Sequence, residues 1–281
     1  MERGIGWDDR GAWQRLFNAL AWYEGDQWLD DVILPAIEGE RAAVAELHQI
    51  GHPDSARVPL RDSPHVLWGL YALGRVLDVL ASPMQPVNDD PALLSWMRIP
   101  RGPWWYGRLP TPEALTGFLD AIGASRIAEP AFHPFFHEIV DVEPAADPAE
   151  PPVLVREEWP GALVGSMLLL RSGVTVRAGA QHLVPGVASR SCLYWAWWRR
   201  NRMASDLSHG WGHNSQWRTE FRRDYVLADE LLYNIDGDGR PPDEVELTEA
   251  QRETLLRYRC STTVDLGLGA WIWEDRLAEP R

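Results

Sequence analysis

The best helical face in the chain lies between Ser63-Pro64 and Ser82-Pro83. Val66, Leu67, Leu70, Leu73, Gly74, Leu77 and Leu80 recur at helical spacing, so they fall on one side of a helix. Serine at the cap position and proline at the first helical position start it, because the first turn leaves that N–H unpaired anyway. An apolar stripe of this length has to be covered by other elements. The preceding residues supply candidates: Trp13, Leu16, Phe17, Leu20 and Ala21 form a second stripe of the same period. A further helix is expected from near Asp26 through Val32 and Ile33, with Pro35 marking a kink or break. Glu40 to Ile50 resumes the pattern, and the breakers Gly51, Pro53, Asp54 and Ser55 close it. Pro91 to Arg98 reads as a short helix. Thr111-Pro112-Glu113 opens another through Leu115, Phe118, Leu119 and Ile122, with Gly123 as its C-terminal cap.

The character changes after that. Phe136 to Val142 and Val153 to Trp159 read as strands flanking an acidic, proline-rich linker or exposed loop, Glu143 to Pro152. Residues 160–173 fit either a helix capped by Gly173 or a strand turning at Ser172-Gly173, and the helix is preferred. Val174 to Ala178 is a strand by its β-branched alternation. Thr248 and Gln251 have capping-box spacing before a helix over Glu249 to Arg259, and Thr262 to Trp273 is an expected edge strand. The fold class is therefore α+β: a helical region over 1–126, and an α+β region over 127–281 with a small sheet. Whether the two share one core is left open.

The 27 basic side chains are all arginine. Without lysine there is no lysine Schiff base, lysine general base or P-loop lysine. Arginine binds and orients but does not serve as a base. Arginine in place of lysine, with abundant Ala, Gly and Pro, suggests a GC-rich bacterial genome. Residues 1–9 have neither an apolar signal stretch nor the basic character of a transit peptide. No uninterrupted apolar run approaches the roughly 20 residues that span a bilayer. A soluble, cytoplasmic protein is the expectation, with no membrane partner. Cys192 and Cys260 are too few to organise a disulfide scaffold.

Within a chain of net charge −14 one block runs the other way. Between Arg190 and Tyr225 stand Arg190, Arg199, Arg200, Arg202, Arg218, Arg222 and Arg223 against Asp206, Glu220 and Asp224, interleaved with part of the chain's complement of 16 tryptophans. Arginine forks suit phosphate or carboxylate, and aromatic faces suit a ring. One reading is a pocket for a small anionic ligand, held by Arg199, Arg202, Trp211, Asn214, Gln216, Trp217, Arg218, Arg222 and Arg223. The preferred reading is a tightly bonded scaffold whose arginines neutralise the protein's own carboxylates. Extended nucleic-acid binding is not expected, because the rest of the surface repels phosphate.

Other constellations are weaker. His133/His137 and His209/His213 have the i, i+4 spacing of helical metal ligands, but Pro134, Gly210 and Gly212 argue against helices there, and no metal is expected. Asn234, Asp236 and Asp238 fill the early positions of a calcium loop, yet the twelfth position is Val245 and not glutamate, so a turn is preferred. The aromatic loop Arg101 to Arg108 suits either a stacking platform or packing on the helices. No nucleophile elbow, dinucleotide fingerprint or zinc-binding cysteine set is present, and no cofactor is expected. Two functional expectations follow. The first is a non-enzymatic binding protein whose acidic surface engages a cationic protein partner, as immunity proteins engage toxins. The alternative is a hydrolase acting on a small anionic substrate through Asp206, His209 and His213 with an arginine clamp.

Overall fold

The computed structural model describes residues 11–60, 63–85, 108–183, 222–237, 248–249 and 276–281. Five α-helices are found among them, with two β-sheets, an α+β fold with the helices N-terminal to the sheets. Helix α1 (Ala12–Ala21) buries Trp13, Leu16, Phe17 and Leu20, and the side chain of Gln14 accepts from the backbone N–H of Gly11. A π-helical turn, Trp28–Ile33, runs directly into α2 (Leu34–Gly39). Pro35 thus falls in the first turn of an α-helix, and the chain changes helix type there instead of breaking. Helix α3 (Arg41–Ile50) ends at Gly51, and a 3₁₀ turn over Pro53–Arg57 follows.

Helix α4 (Pro64–Ala81) carries the stripe read from the sequence, with Leu70, Leu73, Leu77 and Leu80 buried. By length and composition the span His65–Met84 is apolar enough to cross a membrane, but 61% of it is buried inside the fold. It also carries Arg75 at no exposure, bonded to Asp78 at 2.9 Å and set over the ring of Phe17 at 5.5 Å. That is the pattern of a central core helix, packed chiefly on α1. Helix α5 (Pro112–Ala121) buries Leu115, Phe118 and Leu119, and Gly123 follows it at φ +70°, the left-handed geometry the cap requires.

The larger sheet has six strands in the order β1-β4-β5-β7-β8-β9, all antiparallel: Ser125–Arg126, Ala162–Val164, Met167–Leu170, Tyr225–Val226, Glu230–Tyr233 and Leu277–Pro280. The smaller sheet has the order β2-β6-β3, with β2 (His137–Pro144) parallel to β6 (Ser172–Ala178) and β3 (Val153–Trp159) antiparallel to it. Residues 160–173, read as a helix, are instead the β4–β5 hairpin and the start of β6. The turn needs glycine: Gly165 has φ +59°, and a Cβ there would lie 2.4 Å from the carbonyl oxygen of Gly51. Met167, Leu168, Leu169 and Leu170 are all buried, so the run has neither the alternation nor the three-four spacing that separates strand from helix. The acidic stretch 143–152 joins β2 to β3 within one sheet, held by Ala145 N–H on Ala178 O and Gly179 N–H on Glu150 O.

The main core runs from the helices into the larger sheet. Trp13, Phe17, Leu73, Leu77 and Phe118 belong to the same buried cluster as Val164, Met167, Leu169 and Tyr225. Leu168, Leu231 and Tyr233 belong instead to a second cluster with Phe135 and Phe136. Strand alternation explains the division: Met167 and Leu169 point one way, Leu168 the other.

Candidate functional site: a buried arginine–carboxylate cluster

The described end of the arginine-rich block, Arg222 to Tyr225, enters β7 and places successive side chains on opposite sides of the larger sheet. Arg222 and Asp224 lie with the second cluster. Asp224 is fully buried, and its Oδ2 accepts from Arg171 Nη2 at 2.5 Å and from Arg222 Nε and Nη2 at 3.0 and 2.9 Å. Its Oδ1 accepts the backbone N–H of Asn234 at 2.7 Å. Arg171 is the residue at which the chain leaves β5 and enters β6, so this cluster sits where the two sheets exchange the strand. Around it, Arg222 lies over the ring of Tyr233 at 5.6 Å and Arg171 over that of Phe135 at 6.0 Å. The carbonyl of Arg171 also accepts Trp159 Nε1–H at 3.0 Å.

Arg223 and Tyr225 turn toward the helices. Arg223 makes a two-pronged bond to Asp236, Nε to Oδ2 at 2.6 Å and Nη2 to Oδ1 at 2.5 Å. It also donates to Tyr225 Oη at 3.1 Å and to the carbonyl of Val58 at 2.9 Å. Tyr225 Oη–H in turn donates to the carbonyl of Ile50 at 2.7 Å, and Asp236 accepts the N–H of Leu60 at 2.7 Å. One arginine, one tyrosine and one aspartate therefore fasten the sheet to the segment that leaves α3. Arg223→Lys keeps the charge but loses the planar fork, and is expected to cost about 2–3 kcal/mol of unfolding free energy in urea titration.

Proton affinities follow these contacts. Burial alone pushes the Asp224 carboxyl up, but the pull of Arg222 and Arg171 outweighs it and holds the group below its ordinary range. Burial lowers the affinity of Arg222. For Arg223 burial works the same way, and the bonds to Asp236 overcome it, leaving the group raised. Burial raises Tyr225, and burial with the hydrogen bond to Glu279 raises Tyr233 well above the usual phenol value. The cluster thus holds ionised carboxylate against guanidinium and neutral phenols.

Arg222 and Arg223 are the two proposed ligand-binding residues that fall among the described residues, and both are spent on the protein's own aspartates. The remaining candidates, Asp206, His209, His213, Arg199, Arg202, Trp211, Asn214, Gln216, Trp217 and Arg218, lie outside the described residues. So do Pro91 to Arg98, the aromatic loop up to Gly107, the expected edge strand Thr262 to Trp273, the helix body after Glu249, and both cysteines.

The first histidine pair closes a turn. His137 Nδ1 lies 2.9 Å from the N–H of His133 and 3.1 Å from its carbonyl, and His133 Nδ1 accepts the N–H of Phe135 at 3.2 Å. The His137 ring stacks on Phe132 at 5.8 Å, and burial lowers its pKa. Among the described residues no group of three or more His, Cys, Asp or Glu is placed to hold a metal ion. The segment from Asn234 forms a turn, closed by Gly237 N–H on Asn234 O at 2.9 Å, with Asn234 at φ +53° and the Asp236 carboxylate occupied by Arg223 and Leu60. A surface groove of about 430 Å³ lies beside β8 and β9, lined by Arg57, Leu227, Asp229, Glu230, Glu279 and Pro280, and Arg57 is bonded to Glu230 at 3.1 Å.

Arg171, Asp236 and Tyr233 were not singled out from sequence as members of this cluster. For Arg171 a signal existed: a cation closing an apolar run and followed by β-branched alternation is either a strand end or a buried, paired charge. Comparison of the chain with protein-family models, with curated proteins and with solved structures finds no match.

Proposed function

We propose that this chain is a non-catalytic binding protein whose acidic surface engages a cationic protein partner, as immunity proteins engage cationic toxins. The observation that supports this reading is the excess of carboxylates over cations, 41 against 27. Arg75, Arg171, Arg222 and Arg223 are buried and bonded to Asp78, Asp224 and Asp236. Glu24, Asp26, Asp30, Glu46, Asp120 and Glu157 stand exposed, as do Arg15, Arg41, Arg57, Arg126, Arg156 and Arg177. The excess leaves a net charge of −14, and charge of one sign steers and orients a basic partner.

The test is fluorescence anisotropy of a labelled oligolysine peptide titrated with the full chain. Saturable binding at about 50 mM salt is expected, weakened roughly tenfold or more at about 300 mM as screening shortens the reach of the surface charge. No binding at low salt would remove the reading. Hydrolysis through Asp206, His209 and His213 draws no observation in its favour from the described residues.

A further inference from the structure

Between Arg15 and Arg41 the sequence holds six carboxylates (Glu24, Asp26, Asp30, Asp31, Glu38 and Glu40) and no basic residue. The two flanking arginines are drawn to the far end of this stretch, Arg15 to Glu40 and Arg41 to Glu38. Glu24, Asp26, Asp30 and Asp31 are all exposed, and among the described residues none has a basic partner. The loop after α1 is tied to the π-helical turn through Tyr23. The Tyr23 ring packs edge-on against the buried Trp28 at 4.8 Å, its hydroxyl donates to Asp31 Oδ2 at 2.5 Å and accepts the N–H of Gln27 at 3.0 Å. These contacts fold the loop after α1 back onto the π-helical turn. Asp26 and Asp31 consequently both act on the Tyr23 hydroxyl and raise its pKa, the hydrogen bond it donates to Asp31 most strongly.

A second feature lies in the same segment. Trp22, next to Tyr23, is 82% exposed, the most exposed of the large apolar side chains among the described residues, and Leu34 at the end of the π-helical turn is also exposed. Neither arrangement helps the isolated fold. Like charges set side by side repel, and an indole left in water forgoes the burial that makes tryptophan stabilising. Together they suit one kind of occupant. An indole face attracts ammonium and guanidinium groups and covers their apolar stems, and surrounding carboxylates pair with them. Aromatic anchors ringed by charge are also where binding energy concentrates in protein interfaces. A metal ion would require oxygens converging on one point, and no such set exists among the described residues.

We infer that residues 22–34, centred on Trp22 with Glu24, Asp26, Asp30 and Asp31, form the docking face for a lysine- or arginine-rich segment of a partner protein. This rests on the reading above of the chain as a binder of cationic protein. Two charge-matched variants of the full chain separate the two claims. One carries Glu24→Gln, Asp26→Asn and Asp30→Asn; the control carries Asp120→Asn, Glu157→Gln and Asp229→Asn, exposed carboxylates elsewhere. With labelled oligolysine as probe, the face variant and a separate Trp22→Ala variant are each expected to raise Kd at least roughly tenfold, and the control to change it by less than about threefold. Both triple variants should unfold at the same urea concentration as the parent or a higher one, because only surface carboxylates change. Equal weakening by the face and control variants, or no effect of Trp22→Ala, overturns the docking face while leaving an acidic binder. Absence of probe binding by the parent chain overturns the binder itself.

Discussion

Replacing Asp224 with alanine is expected to destabilise the protein by roughly 3–5 kcal/mol, because it leaves two buried guanidinium groups without the carboxylate they share. Arg171 and Arg222 both bond to Oδ2, and the N–H of Asn234 loses its acceptor as well. Asp224→Asn should be nearly as harmful, since its amide carries no charge to offset the arginines. Urea unfolding at neutral pH measures the difference, and a loss under about 1 kcal/mol would show that the cluster is not needed for stability. The pH dependence provides a second readout with a defined sign. A carboxyl held below its unfolded value contributes stability that is complete above that value, about 3.9, and is lost as pH falls through the folded value. The parent should therefore lose stability in acid over this range, and Asp224→Asn should show a shallower acid limb.

Trp159→Ala is the second large effect expected, at roughly 3–5 kcal/mol. The indole is 1% exposed and lies across Gly173, so closely that a Cβ on that glycine would come within 2.3 Å of the ring. Its N–H holds the carbonyl of Arg171, and the neighbouring Gly161 N–H bonds to Ser172 Oγ at 2.8 Å. Trp159 thus fixes the point where the chain passes from the six-stranded to the three-stranded sheet. Alanine removes both the packing and the tie. Phenylalanine keeps most of the packing and leaves one carbonyl without its donor, so its cost should be about 1–2 kcal/mol. If thermal and urea unfolding put Trp159→Phe and Trp159→Ala at the same value, hydrogen bonding and not packing would dominate at this junction.

The helical half was legible because its helices are amphipathic. Trp13, Leu16, Phe17 and Leu20 repeat at helical spacing since one side of α1 meets the core and the other meets water. Where an element is buried on both sides, that contrast vanishes. Met167 to Leu170 is apolar throughout and so carries no period, and its strand identity is set by Gly165 turning against the backbone of Gly51, 114 positions earlier. The π-helical turn at Trp28–Ile33 was hidden for a different reason: α and π spacing differ by little over six residues, and Pro35 looked like a break.

The cluster divides in the same manner. Arg222 and Asp224 are two apart on an extended chain, so their shared side was available from the sequence. The pairing of Arg171 with Asp224 spans 53 positions, and that of Arg223 with Val58 spans 165; both depend on how the sheets and helices stack. Only the stacking decides whether a cation near a carboxylate in sequence turns outward to a ligand or inward to an aspartate. At the described end of the block it turns inward.

The most direct test of that inward disposition, and of the proposed preference for a cationic partner, is a paired calorimetric titration of the full chain at low salt, once with oligolysine and once with a nucleoside triphosphate. Saturable binding of oligolysine is expected, with no detectable heat of binding from the triphosphate. Saturable triphosphate binding with no response to oligolysine would contradict it.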